Sequence, residues 1–167
     1  MNTIKKIALV LALIGSISIM NAQFSVGVGV GFNEGIDAPG LIVKGEFEIM
    51  ENIVISPSTS YFNGSTISGY KNNLLAVDVN GQYIIEIMTD ELKVYPLAGL
   101  NYSSYKHGFR QSNDLRLTGN TGNALGLNVG GGGRWYFSDQ MSVFAELKYT
   151  VSDLSQVVVG AGILFEL

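Results

Sequence analysis

Apolar residues alternate with polar or small residues in eight separate stretches of this chain. In residues 41–50, for example, Val43 and Phe47 occupy one set of alternate positions, and Lys44 and Glu46 occupy the other. Because successive side chains of a β-strand point to opposite faces, this pattern predicts strands with one apolar face and one polar face. The eight predicted strands span residues 24–32, 41–50, 53–61, 74–85, 92–102, 124–137, 141–151 and 156–167.

The beginning of the chain has a different pattern. Lys5 and Lys6 precede an apolar run from Ile7 to Leu13, and small residues follow as far as Ala22. This order is typical of a secretory signal peptide, so we predict a cleaved signal over residues 1–22 and a mature chain over residues 23–167. The alternative is a retained membrane helix, but glycine and serine residues interrupt the apolar run and disfavour it.

The predicted strands have the length of membrane-crossing strands, which need about 9–11 residues each. The chain contains 21 Gly, 47% hydrophobic and only 14% charged residues, a composition that suits an apolar exterior. Because an open sheet edge would leave backbone groups unpaired in lipid, membrane strands must close into a barrel. We therefore predict an all-β fold, namely an eight-stranded antiparallel up-and-down transmembrane β-barrel.

The predicted connections are alternately short and long. Short turns on one side and long loops on the other are typical of bacterial outer-membrane barrels, whose termini lie in the periplasm. The dipeptide Asn80-Gly81 favours hairpin turns and leaves open the alternative that the fourth strand is two strands. The short connections are residues 51–52, 86–91, 138–140 and, as an exception on the outer side, 152–155; the longer loops, rich in Gly, Asn and Ser, are 33–40, 63–73 and 103–123.

Aromatic residues give a second indication of a membrane, because tyrosine and tryptophan favour the boundary between lipid and water. With up-and-down topology, the aromatic residues on the apolar face gather at two levels. The periplasmic level contains Phe24, Tyr83, Trp135, Phe137 and Phe165, and the outer level contains Phe32, Tyr61, Tyr102 and Tyr149.

Most charged residues of the strands fall on the face opposite these aromatic girdles. An eight-stranded barrel has an interior only just wide enough for side chains, so we expect these residues to form an ion-paired plug. Arg134 is the expected centre, because its guanidinium can bind Glu146 or another carboxylate through two nitrogens. The predicted interior network consists of Lys44, Glu46, Glu48, Asp78, Arg134, Glu146 and Lys148.

A soluble, ligand-binding barrel of the lipocalin type is the competing all-β interpretation, with apolar residues inside and charges outside. The signal sequence, the girdles and the unequal loops favour the membrane. Without Lys5 and Lys6, 8 basic residues remain against 14 acidic ones, and the resulting net charge of -6 disfavours nucleic acid as a partner.

Several of these segments resemble a family of small outer-membrane β-barrel proteins of the Bacteroidota, broadly similar to the OmpX and OmpA membrane domains. The similar segments are Asn21-Ala22-Gln23, residues 94–100, residues 130–137 and the closing strand, residues 157–167. The resemblance implies an outer-membrane location, the barrel fold and no shared catalytic residues. Family members usually end in an aromatic residue that assembly machinery recognises, whereas this chain ends in Leu167.

Catalytic and cofactor motifs are weak. His107 is the single histidine, and its neighbours Ser103, Ser104 and Asp114 invite comparison with outer-membrane lipid A deacylases and acyltransferases. The absence of cysteine and of a second histidine disfavours a metal site, and no motif indicates a cofactor. The glycines of residues 27–31 and 130–133 lack the helix or the lysine of nucleotide-binding loops, so we expect them to make room inside the barrel.

These observations favour a non-enzymatic barrel with an envelope-structural role or a role in surface contact. The expected partners are outer-membrane lipid, lipopolysaccharide, the outer-membrane assembly machinery and a surface or host ligand at the external loops, above all residues 103–123. The alternatives are an outer-leaflet lipid-modifying enzyme and a small-solute channel.

Overall fold

The computed structural model of the protein describes residues 24–67, 70–87, 89–109, 118–153 and 155–167. The predicted signal peptide, residues 1–22, lies outside the described residues, as does Gln23. Among the described residues, no helix has the length and apolar character needed to cross a membrane.

Nine β-strand segments and one short 3-10 turn make up the described chain. Each strand pairs antiparallel with its neighbours, and the pairing of β4 with β6 closes the sheet into a ring. Segments β4 and β5 both pair with β6 and are consecutive parts of one barrel strand, so the barrel has eight strands, as predicted. The segments are β1 (Phe24–Asn33), β2 (Ala38–Met50), β3 (Ile53–Ile67), β4 (Tyr70–Tyr83), β5 (Ile85–Ile87), β6 (Thr89–Phe109), β7 (Thr118–Ser138), β8 (Met141–Ser152) and β9 (Gln156–Glu166), and the 3-10 turn is Glu34–Ile36.

The alternative hairpin at Asn80-Gly81 is wrong. Both residues lie inside β4, where Asn80 pairs with Ser56 of β3 on one side and Gly99 of β6 on the other. The side chain of Asn80 is buried in the barrel, which stabilises an extended backbone at this position. The strand is interrupted instead at Ile84, whose N–H donates to the carbonyl of Asn52 at 2.8 Å.

The predicted loops 63–73 and 103–123 are strand in their described parts, and residues 68–69 and 110–117 lie outside the described residues. Pairing between β3 and β4 continues to Ile67, and pairing between β6 and β7 continues to Phe109 and Thr118. The predicted loop 33–40 shrinks to the 3-10 turn and Asp37, which has a left-handed backbone with φ of 49°. These segments are polar and rich in glycine, so they lack the apolar alternation by which strands were predicted. They are strands nevertheless, because backbone pairing does not require apolar side chains.

The barrel has two unlike ends. At the terminal end lie Phe24, Leu167 and the tight turn at Asn52, whose φ is 65°. At the opposite end, which we call the hairpin end, lie the 3-10 turn and the β3–β4, β6–β7 and β8–β9 connections. Strands β6 and β7 have 21 residues each, and their pairing extends beyond that of both neighbouring strands.

The two faces of the barrel follow the alternation. Valine, leucine and aromatic side chains are exposed around the outside, whereas charged and amide side chains are buried inside. The interior also has an apolar layer near each end. The layer at the hairpin end contains Ala38, Phe62, Leu74, Ala76 and Val158, and the layer nearer the terminal end contains Val54, Ile84, Tyr95 and Leu97.

Candidate functional site

The half of the interior nearer the terminal end contains a linked group of four charged side chains, which we call the Arg134 group. Arg134 of β7 donates from Nη2 to the carboxylate of Glu46 on β2. Lys44 is also on the interior face of β2, and its Nζ lies 3.0 Å from Glu46 Oε1 and contacts Glu146 of β8 across the lumen. Two cations are therefore matched with two carboxylates, and the four side chains belong to three strands, β2, β7 and β8.

Aromatic side chains contact the Arg134 group through hydrogen bonds and a ring face. The hydroxyl of Tyr95 donates to Glu146 at 2.8 Å, and Arg134 Nη1 donates to the hydroxyl of Tyr136 at 3.1 Å. The ammonium of Lys44 lies 4.6 Å from the centre of the Phe144 ring, a distance at which a cation is attracted to an aromatic face. The charges are therefore held by hydrogen bonds and ring contacts as well as by one another.

A second group lies nearer the hairpin end and is centred on Asp78, which is only 1% exposed. Its carboxylate accepts from Lys148 Nζ at 2.5 Å, from Asn101 Nδ2 at 2.6 Å and from Asn128 Nδ2 at 2.8 Å. Thr150 in turn donates to Asn128 at 2.7 Å. A buried carboxylate with one cation and several neutral donors is well matched, since both its charge and its oxygens are satisfied.

Six of the seven residues predicted for the interior network lie in these two groups, three cations with three carboxylates. Glu48 differs: it is half-buried at the terminal end and has no ion pair with another described residue. Arg134 binds Glu46 through a single nitrogen, and the expected partner Glu146 is bound by Lys44.

Sequence reasoning missed the neutral members of the network, among them Tyr95, Asn101 and Asn128. All three occupy the inward set of alternate positions, and Asn101 and Asn128 pair with Gly126 and Gly99 on the strands beside them. The signal that could have revealed them is an amide or tyrosine on the same face as the buried charges, where an uncharged donor is needed to complete carboxylate hydrogen bonding.

An apolar layer and a hydrogen-bonded pair close the hairpin end. The side chains of Phe62 and Leu74 are essentially inaccessible, and Ile36 and Tyr105 pack against their cluster. Beside them, the amide of Asn33 donates to Gln156 at 2.5 Å, and Gln156 donates to Ser103 at 3.2 Å. Buried side chains therefore line the interior from this layer to the Arg134 group.

The terminal end is more open. A cavity of about 690 Å³ lies there, and its lining includes Glu48, Lys93, Tyr136 and Glu166. Arg134 and Glu46 also line it, so the ionic group forms part of the wall of this cavity. We call this cavity the basin; the Asp78 group and the apolar layer around Phe62 lie farther toward the hairpin end.

The nine residues predicted for the aromatic girdles lie on the outer face. Phe32 at the hairpin end is 44% exposed, and Trp135 toward the terminal end is 52% exposed. Phe24 is less exposed because its ring packs on Phe47, with 4.7 Å between ring centres. The other members of the predicted girdles are Tyr61, Tyr83, Tyr102, Phe137, Tyr149 and Phe165, all exposed.

Ser103, one of the residues that suggested a catalytic site, belongs to the interior hydrogen-bond network. Ser103 is 1% exposed and donates inside the barrel to Asn101 at 2.7 Å. The backbone of His107 is paired with Asn120 near the tip of the β6–β7 hairpin, and Asp114 lies outside the described residues. Within the described part of the chain, no three His, Cys, Asp or Glu side chains are grouped as a metal site requires.

Comparison with known proteins shows the fold. No protein-family model and no curated protein matches the sequence. A major outer membrane protein from Thermus thermophilus has a TM-score of 0.67 at 14% identity, covering 87% of this chain and 99% of its own. OprG from Pseudomonas aeruginosa has a TM-score of 0.67 at 12% identity (87% and 96% covered). Ail of Yersinia pestis, in complex with the heparin analogue sucrose octasulfate, has a TM-score of 0.64 at 13% identity (89% and 100% covered).

Proposed function

We propose that this protein is a non-enzymatic outer-membrane β-barrel whose interior is closed to solutes and whose hairpin end faces the cell exterior. The observation that carries the proposal is the inversion of the barrel: apolar and aromatic side chains cover the outside, and matched ions fill the inside. A soluble barrel of similar size has the opposite arrangement, because water would surround the apolar face.

The membrane location draws support from three further features. The first 22 residues have the pattern of a signal peptide, the exposed aromatics lie at two levels, and the structurally similar proteins include outer-membrane barrels. Lipid and lipopolysaccharide are then the immediate partners of the outer face. Assembly machinery would insert the barrel, and the resemblance to Bacteroidota barrels stays part of this proposal.

The enzyme and channel alternatives are disfavoured by the interior. Ser103 is buried in hydrogen bonds and is not available as a nucleophile. A solute that entered the basin would meet the Arg134–Glu46 pair, then the Asp78 group, then the apolar layer around Phe62. An eight-stranded barrel leaves little room for water beside such side chains.

Two measurements on one protein sample test the membrane location of the barrel and the proposal that its interior is closed to solutes. Protein refolded in detergent is expected to migrate faster on a gel before boiling than after it, because a closed barrel resists the denaturing detergent. The same sample in a planar bilayer is expected to give no stable stepwise conductance. A mobility unaffected by boiling, in a protein soluble without detergent, would refute the membrane location; regular conductance steps would refute the closed interior.

The surface-contact role is supported by an unpaired strand edge at the hairpin end. The pairing of β7 with β8 begins at Gly126, whereas β7 itself begins at Thr118 and is paired there with β6 alone. Among the residues that the structure describes, no strand therefore pairs with the other side of residues 118–125. Such an edge is able to add an extended segment of another protein as a further strand.

Two neighbouring proline substitutions test this edge. Successive N–H groups of an antiparallel strand point alternately to its two sides, so one of Asn120→Pro and Thr121→Pro removes a donor from the free edge and the other removes one from the β6 pairing. In cells that carry the protein, the free-edge variant is expected to lose adhesion to matrix-coated or cell-coated surfaces while keeping the gel shift. The role is contradicted if cells with the wild-type barrel adhere no better than cells without it.

A further inference from the structure

The basin at the terminal end has more carboxylates in its lining than cations to balance them. Its two cations are already paired, Arg134 with Glu46 and Lys93 with Glu86. Four further carboxylates line the basin, and none of them forms an ion pair with another described residue. These four are Glu48, Glu91, Asp139 and Glu166. The basin is therefore strongly negative, and a cationic ligand would be attracted to it.

The positions of the other basic residues do not offset this charge. Eight of the ten lysine and arginine residues of the chain are outside the lining of the basin. They are Lys44 and Lys148 deeper in the interior, Lys71 and Lys106 on strands near the hairpin end, Arg110 and Arg116 between β6 and β7, and Lys5 and Lys6 in the predicted signal peptide. Cleavage of that signal would create one new amine, against four carboxylates.

A buried serine adds a polar group that the protein leaves unbonded. Ser25 is 7% exposed, lines the basin and has no side-chain hydrogen bond with another described residue. It is directly opposite Glu46 on β2 and Glu166 on β9, so the three side chains form a row on the inner face. Since buried hydroxyls are normally hydrogen-bonded, the oxygen of Ser25 is placed to accept from a ligand in the basin.

The arrangement of these groups favours a ligand with several separated positive charges. Within the described part of the chain, no three acidic side chains are grouped closely enough to hold one metal ion. An ammonium is less demanding, because each of its three N–H groups needs only one acceptor. Val54 and Ile84 add an apolar stretch of wall against which methylene groups can pack. The cavity of about 690 Å³ has the size of a small-molecule site.

We propose that the basin binds a linear polyamine, a small molecule whose ammonium groups are joined by methylene chains. The strand order β9, β1, β2, β3, β4 and β6 places Glu166, Glu48 and Glu91 one after another around the wall, with Val54 and Ile84 between the last two. One ammonium contacts Glu166 and Ser25, and the others contact Glu48 and Glu91. The ligand enters and leaves at the terminal end, so the site goes beyond the proposed closed barrel and leaves its interior closed.

Calorimetric titration with the triamine spermidine tests the site in the predicted mature chain, refolded in an uncharged detergent. Glu48→Gln combined with Glu166→Gln is expected to weaken binding about tenfold, because two partly exposed ion pairs are lost. Ser25→Ala should weaken it about threefold through the loss of one hydrogen bond. The matched control, Glu34→Gln with Asp37→Asn, removes two charges at the hairpin end and should leave the affinity unchanged. Butylamine, which has a single charge, should bind at least tenfold more weakly than spermidine.

Several outcomes would overturn the inference. They are absence of spermidine binding to the wild-type protein, equal weakening in the control variant, displacement of spermidine by an equal concentration of Mg²⁺, and tighter binding of a lysine-rich peptide, which would assign the basin to a protein partner. Each protein is first checked for the gel shift of the folded barrel, and Glu48→Gln alone replaces the double variant if that variant lacks the shift. A wild-type protein without the shift would instead refute the proposed membrane function.

Discussion

Replacement of Asp78 by alanine is expected to lower the free energy of unfolding by about 3–5 kcal/mol, because it leaves a buried lysine without its counter-charge. Lys148 contacts Asp78 at 2.5 Å and is itself buried, and Asn101 and Asn128 lose the same acceptor. Unfolding by urea in lipid vesicles, followed by tyrosine and tryptophan fluorescence, measures the loss as a lower midpoint.

A double variant separates charge from packing. Asp78→Leu combined with Lys148→Met removes both charges, and it is expected to recover more than half of the loss, since apolar pairs replace buried ion pairs at little cost. The exposed pair Glu86–Lys93, with side chains 54% and 26% exposed, supplies the reference. Glu86→Gln should change stability by less than about 1 kcal/mol. If Asp78→Ala were equally mild, the interior would be hydrated and the closed plug would be wrong.

The balance of charges supports the proposal that this interior is closed although it is polar. Lys44, Arg134 and Lys148 are matched by Glu46, Glu146 and Asp78, and each cation contacts at least one carboxylate. A surplus charge of either sign would draw water and ions into the lumen. Glu48 is the predicted member left over, and it lies at the basin, where solvent screens its charge.

The sequence was sufficient to predict whether each strand residue faces into or out of the barrel, because successive side chains of a strand point to opposite faces. Val43 faces out and Lys44 faces in because they are neighbours in an extended backbone. The choice of partners was not predictable in the same way. Lys44 reaches Glu146 across the lumen, 102 positions away in the chain, and that contact depends on the register of every strand between them.

The strand ends were the other part that sequence reasoning misplaced. Residues 63–67 and 103–109 are mostly polar or small, so the apolar alternation fades although pairing continues. Membrane strands are recognised by the lipid they face, and a strand that projects into water loses that signal. The free edge of β7 therefore became evident only from the pairing register.

Alanine in place of Gly130 is expected to cost about 1–3 kcal/mol, whereas alanine in place of Gly133 should be close to neutral, although both glycines belong to one run of four. A Cβ at Gly130 would point inward and lie 2.2 Å from the carbonyl oxygen of Leu147, so backbone must move. A Cβ at Gly133 would point outward, with its nearest atom, the carbonyl oxygen of Lys93, at 3.8 Å.

The inward glycines also make room for an aromatic ring of the network. Gly132 pairs with Tyr95, and a Cβ there would lie 2.8 Å from Tyr95 Cζ, close to the hydroxyl that donates to Glu146. Gly132→Ala should therefore lower the urea midpoint too, and the inward pair Gly130 and Gly132 should differ from Gly133 in the same assay. Equal effects of Gly130→Ala and Gly133→Ala would mean that backbone freedom, rather than the space taken by Tyr95 and the neighbouring strand, explains this run of glycines.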